Sequence, residues 1–361
     1  MAVALVSACL FVSSAQAADL SAILAKAADG TKVPGAGLLT IQHYAVADEA
    51  VYGVRRLGDP AAVTASDVWN IGSDSKAMTA VMIARLVERG LLSWDAPLAT
   101  LLPDMADGMR PEYRTVTLLQ LVTHTSGLPE NVSDEDALNA LFYNESSASP
   151  SERRKAYVVR ALQDKPEGRV GRFSYSNTGF LVAAMAAEKA AGATYETLMQ
   201  DEVFKPLGMT SAGFGLAPAG GTIGHMRGRV AVLRDVNPEF FAPAGNIYMT
   251  LDDWARFCID QLKGAAGEGA LLKPGTYTLM QSAQSGAPVG MGWFTRDNIA
   301  GLDGPVLYHE GSDGAWFAIV ALFPKTGSGV LAVANAGKTM DGEELDMTAA
   351  VNAAKAMAGE K

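Results

Sequence analysis

A serine and a lysine three residues apart, Ser73 and Lys76, stand in the run Trp69-Asn-Ile-Gly-Ser-Asp-Ser-Lys-Ala-Met-Thr-Ala80, where an extended stretch gives way to a long apolar helix. One helical turn puts a hydroxyl and an amine on the same face. A serine alcohol is a poor nucleophile at neutral pH, so it needs a base within hydrogen-bond reach, and an amine three residues on can serve without a histidine. Serine at the opening of a helix also sits where free N–H groups and the positive end of the dipole favour developing negative charge. An N-capping serine followed by a surface lysine has the same spacing, so other residues must decide between the two readings.

Two further groups supply them. Tyr175-Ser-Asn177 leads straight into a helix that begins near Thr178. A phenol beside a lysine ammonium is expected to have its pKa lowered and to act as general base or proton shuttle. Asn177 is placed to orient Lys76 and to donate its amide to a substrate carbonyl. The other group, His309-Glu-Gly311-Ser312, ends an apolar strand. Its glycine lets a substrate backbone lie against a strand edge, and the N–H of Ser312 is expected to face that of Ser73 across the reacting carbonyl as an oxyanion hole.

The elements that must hold these residues follow from periodicity. A short amphipathic helix over 20–28 precedes two strand-like runs, 35–44 and 50–58, which suggest an N-terminal hairpin. The pattern is then mostly helical to about residue 275. The clearest helix spans 77–89, apolar on most sides and stopped by Gly90; others are read at 117–122, 134–142, 151–162, 177–191, 195–203 and 250–262. The period changes again near the C-terminus, with strands at 290–296, 306–310, 315–323 and 329–335 and an alanine-rich helix at 347–357. Strands at both ends and helices between predict an α+β chain with one sheet built from both termini and a helical lobe inserted between them. The expected division is a sheet lobe of 18–72 and 276–361 and a mainly helical lobe of 73–275, with a cleft where they meet.

Composition narrows the partners. The chain has 361 residues and a formal net charge of −10, which makes nucleic acid and anionic membrane poor partners. Residues 1–17 run apolar and small and end in Ala15-Gln16-Ala17, which fits a secretory signal peptide cut before Ala18. Beyond it no apolar run is long enough to span a bilayer, so a periplasmic or secreted protein without a transmembrane segment is expected. Removing that segment leaves Cys258 as the only cysteine, with no intramolecular disulfide possible. The four histidines, His43, His124, His225 and His309, form no ligand-spaced pair, and no metal or other cofactor is expected.

Together, in this order and at these spacings, the three groups resemble the active-site motifs of the serine β-lactamase and penicillin-binding protein superfamily. The resemblance is closest to the branch of class C β-lactamases, DD-carboxypeptidases and related esterases. It extends through Gly90-Leu-Leu-Ser-Trp-Asp-Ala-Pro97, Leu118-Leu-Gln-Leu-Val-Thr-His-Thr-Ser-Gly-Leu128, Phe204-Lys-Pro-Leu-Gly-Met-Thr210 and Pro243-Ala-Gly-Asn-Ile-Tyr-Met-Thr250. None of these stretches is catalytic in the family, so His124 and Ser126 are read as structural. The resemblance implies a five-stranded antiparallel sheet flanked by helices, with the site between sheet and helical lobe. It also implies an acyl-enzyme on Ser73, with Lys76 and Tyr175 managing the proton. Lys325-Thr-Gly327 copies the third motif of many members. It follows Pro324, though, and reads as a hairpin turn.

The expected substrate is a small molecule or peptide. Glu310 stands where the family commonly has a threonine, and a carboxylate in the cleft would repel an anionic substrate by roughly a kcal/mol or more. Uncharged esters or amides are therefore expected ahead of D-alanyl-D-alanine peptides and β-lactams. A non-catalytic penicillin-binding or sensor protein is the alternative of another class.

Overall fold

The computed structural model describes residues 19–143, 147–284, 287–299 and 301–359; the export segment read at 1–17 lies outside them. Six strands form one antiparallel sheet: β1 (Gly35–Gln42), β2 (Ala45–Gly53), β3 (Phe294–Ile299), β4 (Leu302–Ser312), β5 (Phe317–Phe323) and β6 (Ser328–Ala334), in the order β2-β1-β6-β5-β4-β3. That is one strand more than the resemblance implied, and each of the six extended runs in the sequence has become one of them. The pairing of β1 with β6, Ala36 opposite Ala334, joins the two ends of the chain.

The first hairpin is tighter than periodicity suggested. β2 begins at Ala45 rather than near residue 50, because His43 and Tyr44 form a two-residue turn with φ of 51° and 62°. Such turns need left-handed backbone at both positions and normally advertise themselves with Asn-Gly or Gly-Gly. Here two ring-bearing residues fill them.

Six helices cover the sheet or carry the site: α1 (Leu20–Ala28), α2 (Ser75–Glu88), α3 (Leu118–Val122), α4 (Asn177–Ala191), α5 (Leu251–Ala265) and α6 (Gly342–Met357). All seven residues of β5 are buried, which requires cover on both faces of the sheet. On the outer face α1 and α6 close a core of Leu20, Leu24, Leu38, Phe317, Ile319, Ala332 and Leu345. On the inner face α5 packs against β1, β5 and β6, and the apolar residues there continue into α2 and α4 as one larger core. α2 is buried from Ser75 to Ala84, and so it is apolar nearly all round. α4 starts on a Ser176 cap and ends on Gly192 at φ 65°, which supplies the left-handed residue that closes a helix. Cys258 is buried in α5. No described helix is long and apolar enough to cross a membrane.

Candidate active site

The chain enters the site through a small three-stranded sheet in which Trp69–Asn70 pairs with Ile247–Met249, itself paired with Gly213–Phe214. Asn70 then turns it: the Asn70 side chain accepts the Gly72 N–H at 2.8 Å and donates to Asn246 Oδ1 at 2.9 Å. Residues Gly72–Asp74 form a tight 3-10 turn and α2 proper begins at Ser75. Ser73 therefore sits just ahead of the helix and is partly open to solvent, while Lys76, one turn on, is wholly buried.

Three functional side chains predicted from the sequence meet here. Lys76 Nζ donates to Ser73 Oγ at 3.0 Å, and Tyr175 Oη donates to the same oxygen at 2.9 Å. Lys76 also donates to the Ala244 carbonyl, so the Pro243-Ala-Gly-Asn246 stretch has an anchoring part that its sequence did not reveal. Burial pushes the Lys76 amine down to about 7, against the opposing pull of Asp74 and Glu130. The Tyr175 phenol moves the other way. The sequence suggested that the nearby ammonium lowers it, but burial outweighs the hydrogen bond to Ser73 and raises it well above the ordinary phenol value. Thus the amine loses a proton readily and the phenol keeps one.

Asn177 makes no hydrogen bond to Lys76, the contact by which it was expected to orient the amine. As the first residue of α4 it donates its side-chain amide to Asn131 at 3.2 Å and its backbone N–H to the Glu130 carbonyl. Its Oδ1 has no hydrogen-bond partner among the described residues. His124, read as structural, lies against the site: its ring stacks on that of Tyr175 at 4.4 Å between centroids.

β4 forms the opposite wall. Side chains alternate across a strand, so His309 and Gly311 face the turn ahead of α2 while Glu310 faces the other way, toward Glu343, Lys338 and Arg296. Glu310 thus does not share the face of Gly311 as expected of a residue in the crevice, although its charge still reaches Asp74. Gly311 fits because a Cβ would come within 2.0 Å of the Ile71 carbonyl oxygen and 2.8 Å of Asp74 Oδ2. Gly72, at φ 50°, is matched to it: its missing Cβ would lie 2.3 Å from the Ser312 nitrogen. Two facing glycines therefore let the backbone ahead of Ser73 press against that of Ser312. Only Gly311 was visible beforehand.

His309 is buried. Its Nδ1 donates to the Glu310 carbonyl at 2.8 Å, which leaves a lone pair on Nε2, an atom with no hydrogen-bond partner among the described residues. Burial, with the Lys76 charge nearby, pushes this histidine down to about 3, so it is neutral across the physiological range. Asp74 lies behind it, its Oδ1 3.6 Å from His309 Nδ1, wholly buried and raised well above the usual carboxylate range by burial. Lys325 and Gly327 occupy the turn between β5 and β6, at the end of the sheet remote from Ser312. Among the described residues no group of three or more His, Cys, Asp or Glu side chains gathers as a metal site would require.

Known proteins resemble this chain over most of its described length. The model of the Beta-lactamase family matches residues 20–355. Penicillin-binding protein 4 of Amycolatopsis lactamdurans is 28% identical over 321 residues, 83% of this chain and 80% of that one. A Bacillus subtilis (strain 168) relative is 30% identical over 233 residues, and the aligned part spans only about half, 52%, of its length. Among solved structures, the octameric penicillin-binding protein homologue from Pyrococcus abyssi superposes with a TM-score of 0.77 at 22% identity, covering 95% of this chain and 77% of that one. At that identity it speaks for the fold alone. A match over nearly every described residue, with the serine, lysine and tyrosine of the site in hydrogen-bond contact, makes this chain a member of the Beta-lactamase family.

Proposed function

We propose that this protein is a serine hydrolase that forms an acyl-enzyme on Ser73 and favours uncharged esters or amides. The observation that carries the reading is the double hydrogen bond to Ser73 Oγ from Lys76 and Tyr175. With its proton off, Lys76 takes the proton of Ser73 as Oγ attacks the substrate carbonyl carbon. The Ser73 and Ser312 N–H groups receive the developing oxyanion. The bond to the leaving group then breaks, and that group takes a proton handed on from Lys76 through the Tyr175 hydroxyl. Water repeats the sequence on the acyl-enzyme and frees Ser73. Lys76 is the base in this scheme because the amine is pushed down and the phenol up. Asn177 Oδ1 and His309 Nε2, buried beside the site and without a hydrogen-bond partner among the described residues, are the polar atoms a substrate would meet if it displaced their cover.

The preference for neutral substrates rests on His309 and on an apolar cavity, no longer on Glu310. A neutral histidine that presents a lone pair offers no cation to a substrate carboxylate. Beside Asn70, Asp313 and Trp316 lies a cavity of about 260 Å³ whose described lining holds neither Lys nor Arg. Its rim carries Leu216, Val232 and Leu233, the three most exposed large apolar side chains among the described residues, at 61%, 57% and 71%. Exposed apolar residues gathered at one place mark a binding surface. The apolar 1–17 segment fits action outside the cytoplasm.

Penicillin-binding relatives keep a second reading in view, a D-alanyl-D-alanine carboxypeptidase or class C-like β-lactamase. Purified protein assayed against a short-chain aryl ester, a D-alanyl-D-alanine peptide and a penicillin separates them. Faster turnover of either anionic substrate than of the ester overturns the neutral preference. Intact mass after a fluorophosphonate or a penicillin tests the nucleophile: no adduct on Ser73 rejects the hydrolase reading, and an adduct from an ester or β-lactam that is never released marks a sensor.

A further inference from the structure

We propose that His124 is a positioning residue that holds Tyr175 against Ser73. The inference rests on the hydrolase reading and assigns work to a side chain which the sequence alone marked as structural. His124 grips Tyr175 from both sides along the chain. Its carbonyl accepts the Ser174 N–H at 2.8 Å, and its Nδ1 accepts the Ser176 N–H at 3.0 Å. Between those two bonds the imidazole lies nearly flat on the phenol ring, 4.4 Å between centroids and 27° between planes. Phe180 of α4 and Phe173 close on the imidazole from other directions, at 5.3 and 6.0 Å.

Two properties separate this arrangement from ordinary core packing. His124 has a φ of 56°, a left-handed backbone that a non-glycine residue adopts at a cost and keeps only where the surroundings fix it. In addition, an Nδ1 that accepts a hydrogen bond cannot carry a proton, so the ring is held in its neutral Nε2–H form. A neutral ring can lie beside the buried Lys76 without adding a second positive charge. The same segment is tied down further along, where Gly171 N–H donates to the Thr125 carbonyl at 2.8 Å. Tyr175 therefore reaches Ser73 with its ring laid against that of His124, the contact that aims the phenol, on a backbone tied at either side.

Two variants separate the grip from the stacking. His124→Asn keeps a side-chain acceptor for the Ser176 N–H and tolerates left-handed backbone, but removes the ring. His124→Phe keeps a ring and loses the acceptor. A crystal structure of the Asn variant is expected to show Tyr175 Oη out of hydrogen-bond reach of Ser73 Oγ. On p-nitrophenyl butyrate, kcat is expected to fall by about 10²-fold, as for a group misplaced by an ångström, while KM stays within about twofold. His124→Phe, with stacking partly restored, is expected to retain more of kcat than His124→Asn despite a lower Tm. A phenol still seated on Ser73 in the Asn variant overturns the proposal. So do kcat losses that merely follow Tm across the two variants. If the wild-type protein neither hydrolyses the ester nor takes up a fluorophosphonate, the hydrolase reading fails instead, and the crystallographic comparison still decides whether His124 seats Tyr175.

Discussion

β4, β5 and β6 carry two short triplets of similar chemistry at opposite ends of the sheet: His309-Glu-Gly311 beside the crevice and Lys325-Thr-Gly327 at the remote turn. By letters alone the second is the better match to the third motif common in the superfamily. The surroundings of the first are those that chemistry needs. Its glycine faces the backbone before Ser73, its histidine lies close enough to Lys76 to feel the charge, and Ser312 meets Gly72. The glycine of the second, at φ 60°, abuts the Tyr44 ring of the first hairpin and closes a turn. The difference teaches that a triplet acquires a role from the register of its strand and the element facing it.

The largest effects belong at the crevice. Ser73→Ala is expected to lower kcat by about 10⁴-fold or more on any substrate, read as steady-state turnover with unchanged Tm. Lys76→Ala is expected to cost about 10³-fold. In the wild type, the pH profile of kcat/KM is expected to climb as pH rises through about 7, because the amine pushed down to that value accepts a proton only once its own has left. A profile climbing instead near pH 10 would point to an unperturbed amine or to the phenol as base.

The two glycines give a sharper contrast. Gly311→Ala drives a Cβ into the Ile71 carbonyl, so turnover is expected to fall by about 10²-fold because Ser312 is displaced from Ser73. Gly327→Ala is expected to cost about 1 kcal/mol of stability through its left-handed backbone and the Tyr44 ring, measured by denaturant melts, with kcat unchanged in the folded fraction. Smaller still, His309→Ala is expected to reduce kcat/KM by about tenfold, the loss of roughly one hydrogen bond in the transition state. Lys325→Ala is expected to change it by less than about twofold. Reversal of this last pair would mean that the wrong end of the sheet has been chosen.

Much of this was legible from residue order. The helices 20–28 and 177–191 were read to the residue because apolar spacing and a polar cap agree at each. That Ser73, Lys76 and Tyr175 belong together was legible because S-x-x-K and Y-x-N each occur once in the chain, and their side chains do meet. What stayed hidden depended on facing elements. The turn at His43-Tyr44 lacks the glycine or asparagine that usually marks left-handed backbone. Glu310 could be assigned to a face only once its neighbour Gly311 was seen to press on the turn ahead of α2. The direction of the phenol shift depended on burial, which two adjacent charge labels cannot convey. Gly72 was overlooked because its partner, Ser312, is distant in sequence.

The sheet also works as a partition. Ser73 and its partners grow out of the inner core, whereas α1 and α6 seal a separate apolar layer on the other side. Random substitutions should therefore sort into two populations. Changes among Leu24, Leu345 and Ala353 will reduce how many molecules fold while each survivor retains full specific activity; changes at the half-buried surface residues Ser73 and Tyr175 will leave abundant protein that turns over poorly. Yield and catalytic quality can in that way drift independently, and a lineage can loosen its exterior without retuning the crevice.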